Sequence, residues 1–188
     1  MRAILRQDPD VVMVGEMRDT ETAQIGIQSS LTGHLVLSTV HTNNAVAAIT
    51  RLRDMGIESF LLASSLRTII SQRLVRRLCP HCKTENKPSN ESIDIFGLDK
   101  NKSVFFANGC DECNHTGYQG RIAIAECIQI DKTLKDLIHN DASENEISDY
   151  VFKDNQSIDK ASIDLIVSGV TSCEEIIRVN NIKEDAII

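Results

Sequence analysis

The chain has 188 residues, of which 41% are hydrophobic, with no tryptophan and a formal charge of −7. That length buries a core as one domain with a smaller appendage, and the negative balance excludes wholesale nucleic-acid binding unless basic residues gather locally. No apolar run approaches the roughly 20 residues that cross a bilayer, and the N-terminus lacks the apolar segment of a secretory signal, so the sequence reads as cytoplasmic.

Met1 to Arg6 read as the end of a helix and Asp8-Pro9-Asp10 as a turn. Val11-Val12-Met13-Val14 then predicts a strand buried on both faces, with Gly15 and Glu16 at its C-terminal tip, where open α/β sheets bind ligands. A carboxylate there suits the water shell of a magnesium ion bridging β- and γ-phosphates; the plainer alternative is a core strand followed by a solvated acid. Asp19 and Thr20 can cap a helix from Glu21, Gly33 can end it, and His34 to Val40 reads as a second strand, also buried on both faces. Strand, helix and strand at this spacing predict a right-handed parallel βαβ unit. At the second tip Thr39, His41, Thr42 and Asn43 form a polar cluster beside Glu16, where a γ-phosphate sensor belongs; His34 sits at the opposite end. The competing reading is a structural histidine at each strand end.

Asn43 or Asn44 can cap a helix running through Ala45, Ala48, Ile49 and Leu52 to Gly56. A longer amphipathic helix is expected to carry Phe60, Leu61, Ser65, Ile69, Leu74 and Val75 up to the first cysteine. Basic residues concentrate here, at Arg67, Arg73, Arg76 and Arg77, and the last two could face acidic partners or anionic lipid headgroups. Four of the six cysteines form two C-x-x-C turns, Cys79 with Cys82 and Cys110 with Cys113, separated by 27 residues. In an intracellular chain that pattern reads as a tetrahedral zinc site; iron is the alternative metal, and His81 and His115 are alternative ligands. Cys127 and Cys173 read as buried thiols.

The Asn, Ser, Lys and Asp residues between the pairs predict a weakly ordered connection. Beyond them, Gly117 to Arg121 reads as a turn, Ile122 to Glu126 as a strand, and the remainder as helices. Ser143 to Glu146 has the form of a capping box, and Thr171 to Glu174 a related one. Leu134, Leu137, Ile138, Ile158, Leu165 and Ile166 recur at core-facing helical spacing. Three parts are expected: 1–78, 79–120 around the cysteines, and a helical 121–188.

The runs LRQDPDVVMVGEMRDTETA and LTGHLVLSTVHTNNA resemble the Walker B and histidine boxes of the secretion ATPase superfamily, the motors of type II secretion and type IV pili. The likeness continues through RLRDMG, SQRLVRRLCPHC, C-x-x-C-x-x-TGY-x-GR and TSCEEIIRV, although Asn155 to Ile158 replaces a glycine-containing pattern. The resemblance implies part of a RecA-like P-loop NTPase core, of class α/β, followed by a zinc knuckle and a helical subdomain. It implies ATP and Mg²⁺, with Gly15, Glu16, Thr39 and His41 around the nucleotide and Glu16, His34 and His41 in catalysis. The cysteines point to the secretion or pilus-assembly branch, with Zn²⁺ on Cys79, Cys82, Cys110 and Cys113. An arginine from a neighbouring subunit can neutralise transition-state charge in ring ATPases, and the candidates are Arg2, Arg6, Arg18, Arg51 and Arg121.

Implied partners are five further copies in a hexamer and an inner-membrane platform protein, with peripheral membrane association and no nucleic acid. The phosphate-cradling G-x-x-x-x-G-K-[ST] loop occurs nowhere in these residues; the family carries it upstream of the Walker B strand. Met1 is therefore expected to be an internal start, the start of a truncated gene or the edge of a piece, and the chain inactive alone. A catalytically silent zinc-bearing interaction module is the alternative.

Overall fold

Residues 9–180 are described by a computed structural model, so the expected helix end at Met1 to Arg6 lies outside the described residues, as do Arg2 and Arg6. In chain order the first elements are β1 (Val11–Val14), α1 (Thr20–Leu31), β2 (Leu35–Ser38), α2 (Ala45–Asp54), α3 (Ser59–Ser65) and β3 (Thr68–Leu78). There follow β4 (Thr84–Asn86), α4 (Asn90–Phe96), β5 (Val104–Phe106), β6 (Tyr118–Gln129), α5 (Lys132–His139), α6 (Glu144–Val151), α7 (Ile158–Val167) and α8 (Cys173–Asn180).

β1 and β2 pair in parallel, from Val11 opposite Leu35 to Val14 opposite Ser38, with α1 as the connection. Asp19 caps α1 by accepting from the Thr22 N–H at 2.8 Å. Neither strand is buried on both faces as expected. Val12 and Val14 are buried, but Met13 is 76% exposed and Val11, Leu35 and Leu37 are about half exposed. Val36 packs against the core cluster that includes Ala23 and Ile27 of α1, so cover lies on one face and side chains of the opposite parity stay outside.

Asn44 caps α2, accepting from the Ala47 N–H at 2.7 Å, and the chain turns at Gly56. The long helix expected up to the cysteines is instead α3 and an 11-residue strand, β3. Thr68, Ile69, Ile70 and Val75 are β-branched, and side chains alternate inward at Ile69, Ser71, Arg73 and Val75. β3 pairs with β6; the bonds Ile130 N–H to Arg67 O and Cys79 N–H to Gly117 O, both 2.9 Å, mark opposite ends and set the strands antiparallel. Tyr118 to Arg121 accordingly open a strand and are not the expected free turn.

Two compact units result. One holds the described residues through Ser71 with Cys127–Asn155; the other holds Gln72–Glu126 with those from Gln156. Segment 79–120 lies wholly within the second, and it is ordered as β4, α4 and β5, not as a loose connection. The first unit centres on Ile49, Leu62, Ile128, Leu134, Ile138 and Ile147, the second on Val75, Phe96, Val104, Ile124, Ile166 and Ile176. Burying each such side chain contributes roughly 2 kcal/mol. In the first unit Arg53 donates to Ala142 O at 2.8 Å and Ile138 O at 3.0 Å, tying α2 to the α5–α6 turn. Ser143 and Glu146 form the expected capping box. The expected Thr171 to Glu174 box does not form: the Thr171 hydroxyl donates to Arg76 O, and Ser172 accepts from the Glu175 N–H instead. Cys173 is buried as expected, whereas Cys127 is exposed because it points outward from β6.

Candidate functional site

The two parallel strand tips are bonded to each other. The Met17 N–H donates to Thr39 O at 3.0 Å and the Thr39 hydroxyl donates to Gly15 O at 2.7 Å. This brings Glu16 and His41 together, with His41 Nε2 2.9 Å from Glu16 Oε1. Arg18 Nε donates to the other carboxylate oxygen. Glu16 is 20% exposed, while Arg18 and His41 are 76% and 86% exposed, so a part-buried acid is held by two side chains that are free to re-aim. The Ser38 hydroxyl, one residue before Thr39, is a buried polar atom with no hydrogen-bond partner among the described residues. A serine inside an apolar run carries no spacing signal, so its position in the sequence does not point to the tip.

Not every expected residue joins this cluster. His34 lies in the turn before β2, where its Nδ1 is 3.0 Å from Ser29 O and 3.2 Å from the Thr32 hydroxyl, a local tie to the end of α1. Arg51 is exposed in the last turn of α2. Arg121 lies on β6 in the second unit. The Thr42 hydroxyl donates to Asn44 O beside the α2 cap.

In the second unit Cys79, Cys82, Cys110 and Cys113 converge, with all four sulfurs within 4.8 Å of one another. Three of the separations are 3.9, 3.8 and 3.8 Å. A tetrahedron with metal–sulfur bonds of about 2.3 Å has sulfur–sulfur edges of about 3.8 Å, so the set fits one ion. Backbone N–H groups aim at the sulfurs: Gly109 at Cys82, and Cys110 and Gly117 at Cys113. Only glycine suits two of these positions. Gly109 and Gly117 have φ of +107° and +76°, and a Cβ would meet the His115 backbone or Ala107. Burial pushes the Cys113 thiol up, but the Cys110 and Gly117 N–H groups and neighbouring thiols more than offset it and hold it at about 6. Burial, with Cys82, pushes Cys110 up to about 12. His115 pairs with Asp111 at 3.1 Å and is not among the converging ligands.

Arg76 pairs with an acid of its own chain. The fully buried Glu175 accepts from the Arg76 N–H at 2.9 Å, from Arg76 Nε and Nη2 at 2.8 and 2.6 Å, and from Arg178 Nε and Nη2 at 2.9 and 2.7 Å. Burial pushes this carboxyl up, but the hydrogen bonds from Arg178 and Arg76 outweigh it and hold it at about 2. The Arg76 guanidinium lies 4.0 Å above the Tyr118 ring, whose hydroxyl is 2.8 Å from the Ser172 hydroxyl.

Residues 1–178 match the family described as type II/IV secretion system protein. The chain belongs to that family. The type II secretion system ATPase E of Vibrio cholerae is 52% identical over 181 residues, 95% of this chain and 36% of that protein. The type IV pilus assembly ATPase TfpB of Acinetobacter baylyi is 44% identical over 184 residues, 95% of this chain and 32% of that protein. This family member thus spans about a third of the length of the curated relatives it matches. Among solved structures, the pilus retraction motor PilT with bound ADP superposes with a TM-score of 0.66 at 25% identity, covering 94% of this chain and 41% of that one. The Legionella pneumophila ATPase DotB shares the fold, with a TM-score of 0.62 at 21% identity over 96% of this chain and 40% of that one. The α/β fold is that of the secretion ATPases. No helix among the described residues is long and apolar enough to cross a membrane.

Proposed function

We propose that this chain is the C-terminal part of an ATP-hydrolysing motor domain for type II secretion or type IV pilus assembly, with Glu16 as the Walker B acid. The observation that carries this reading is the coupling of Glu16 to His41 across the bonded tips of β1 and β2. Oxygen donors at this tip, the Glu16 carboxylate and the Thr39 hydroxyl, suit a hard cation held through water. Magnesium with ATP supplies the electrophilic phosphoryl group and its charge compensation. Glu16 orients water, and the backbone at Gly15 keeps the tip open for close approach. His41 is exposed and can exchange its contact with Glu16 for a phosphate oxygen, a contact that differs between nucleotide states. Arg18, Arg51 and Arg121 are the candidates for charge neutralisation between subunits, and His34 for relaying strand position. A phosphate loop is required from outside these residues, so the chain alone is inactive.

The thiol tetrad is proposed to hold zinc, supported by sulfur separations that match a tetrahedral site. Elemental analysis checks this; iron is the outcome that overturns it. The assembled protein is read as a hexamer working against an inner-membrane platform protein from the cytoplasmic side, with support from relatives named as secretion and pilus-assembly ATPases. A silent metal-bearing interaction module is the second reading, supported by the converging thiols of the second unit. Steady-state ATP hydrolysis in the full gene context separates them. Glu16→Gln is expected to lower kcat by roughly a hundredfold or more, and a variant as fast as its parent overturns the motor reading.

A further inference from the structure

We propose that Ser38 is a positioning residue: its hydroxyl bonds a polar side chain on a further parallel strand, which docks on the free edge of β2 and delivers a phosphate loop to the Glu16–His41 tip. Such a strand comes from outside these 188 residues, so the assignment rests on the motor reading.

The hydroxyl has nowhere to turn within the described residues. Ser38 ends β2 directly opposite Val14, a buried valine whose side chain has no group to bond. By strand alternation it shares a face with Val36, and the core that Val36 packs against is apolar there, with Met17, Ala23 and Ile27. A buried hydroxyl without a hydrogen bond is costly in such surroundings. Serine at this place is explained by a partner that arrives from the remaining side, across the edge of β2.

That edge is open. The Leu35 N–H donates to Asp10 O at 2.9 Å and Thr39 O accepts from the Met17 N–H at 3.0 Å, so these two residues turn their backbone groups towards β1. Val36 and Ser38 alternate with them and turn theirs the other way, where no strand lies among the described residues. One sheet face is uncovered as well: Val11 and Met13, paired with Leu35 and Leu37, are all exposed. Parallel sheets bury both faces, and two strands are too few to stand by themselves, so β1 and β2 form the margin of a larger sheet. The Vibrio cholerae relative has polypeptide to supply the rest, since this chain matches 36% of that protein. A strand added in parallel ends at the same tip as β2, the end at which such sheets hold ligands. The loop that follows it therefore reaches Glu16 and His41, and a cross-strand bond from Ser38 fixes its register.

Ser38→Ala tests this in two settings, the 188-residue chain and the longer protein made from the full gene context. In the chain it removes an unsatisfied hydroxyl and is expected to raise Tm by roughly 3 °C, a gain that misfolding cannot produce. In the longer protein it deletes a bond to the loop-bearing strand, so KM for ATP is expected to rise roughly tenfold while kcat changes little, Glu16 and His41 being untouched. Amide exchange at Val36 and Ser38 is expected to be fast in the chain and slow in the longer protein. A lower Tm for the variant chain, an unchanged KM in the longer protein, or fast exchange of both amides there overturns the proposal. Protection of those amides in the chain as its concentration rises, with a dimer in sedimentation, makes a second copy the occupant and overturns it too. Glu16→Gln leaves Ser38 intact, so parent-like turnover in that variant sinks the motor reading while Tm and amide exchange still judge Ser38.

Discussion

Glu175 has no exposed side-chain surface, yet it stays ionised because Arg178 reaches it from three residues away and Arg76 from 99. Removing the charge leaves the part-exposed Arg76 and Arg178 guanidiniums without their shared buried counter-charge, so Glu175→Gln is expected to cost about 3 kcal/mol in denaturant unfolding. Its folded pKa of about 2 lies below the ordinary 4.5, so its contribution is whole above pH 4.5 and is lost as pH falls toward 2. The difference between parent and Glu175→Gln stability should therefore shrink across that window, and a constant difference refutes the ion-pair account. This residue also marks the limit of sequence reading at the site. Glu16 and His41 were legible because each ends an apolar strand, so the fold class alone puts them side by side. Nothing local announces that Glu175 and Arg76 meet, and Arg76 read by itself looked like a surface charge.

At the level of elements, caps were legible and strand pairing was not. Asp19, Asn44 and Ser143 each sit one residue before a helix, and the cap is a contact over three residues that the sequence displays. β3 was hidden because Phe60, Leu61, Ser65 and Ile69 continue at near-helical spacing past the true end of α3. Only pairing with β6, about fifty residues on, settles the extended form. The polar stretch between the cysteine pairs hid α4 and β5 for a related reason: its apolar residues Phe96, Leu98 and Val104 are few, and their partners lie in α7 and α8. That docking has a sensitive point in the α7–α8 turn. Gly169 has φ of +66°, Lys83 Nζ donates to its carbonyl at 2.8 Å, and a Cβ there would lie 2.3 Å from the Phe105 ring. Gly169→Ala combines backbone strain with overpacking and is expected to cost roughly 3 kcal/mol in thermal unfolding. Gly33→Ala, at φ +107° with open space around it, carries strain alone and is expected to cost roughly 1 kcal/mol. Equal costs would mean that the Phe105 contact does not matter.

Across the whole molecule, each unit has its own core, and they depend differently on the thiol tetrad. The first unit buries Ile49, Leu62, Leu134, Ile138 and Ile147 and contains none of the four ligands. In the second, Cys79 is bonded to Gly117 and Leu78 to Val170, so the ligand turns and the α7–α8 turn hang on the same backbone. A bound structural ion contributes on the order of 10 kcal/mol, more than a small core supplies by itself. Chelation of the proposed metal should therefore release amide protons of α7, α8, β4 and β5 to exchange while α1, α2 and α5 remain protected. Hydrogen–deuterium exchange with and without chelator reads this directly. The cause can be isolated with Cys110→Ser, which should reproduce the loss in the second unit without chelator. Uniform deprotection of both units, or none in α7 and α8, would separate the C-terminal helices from the metal and leave Glu175 with Arg76 as what holds them.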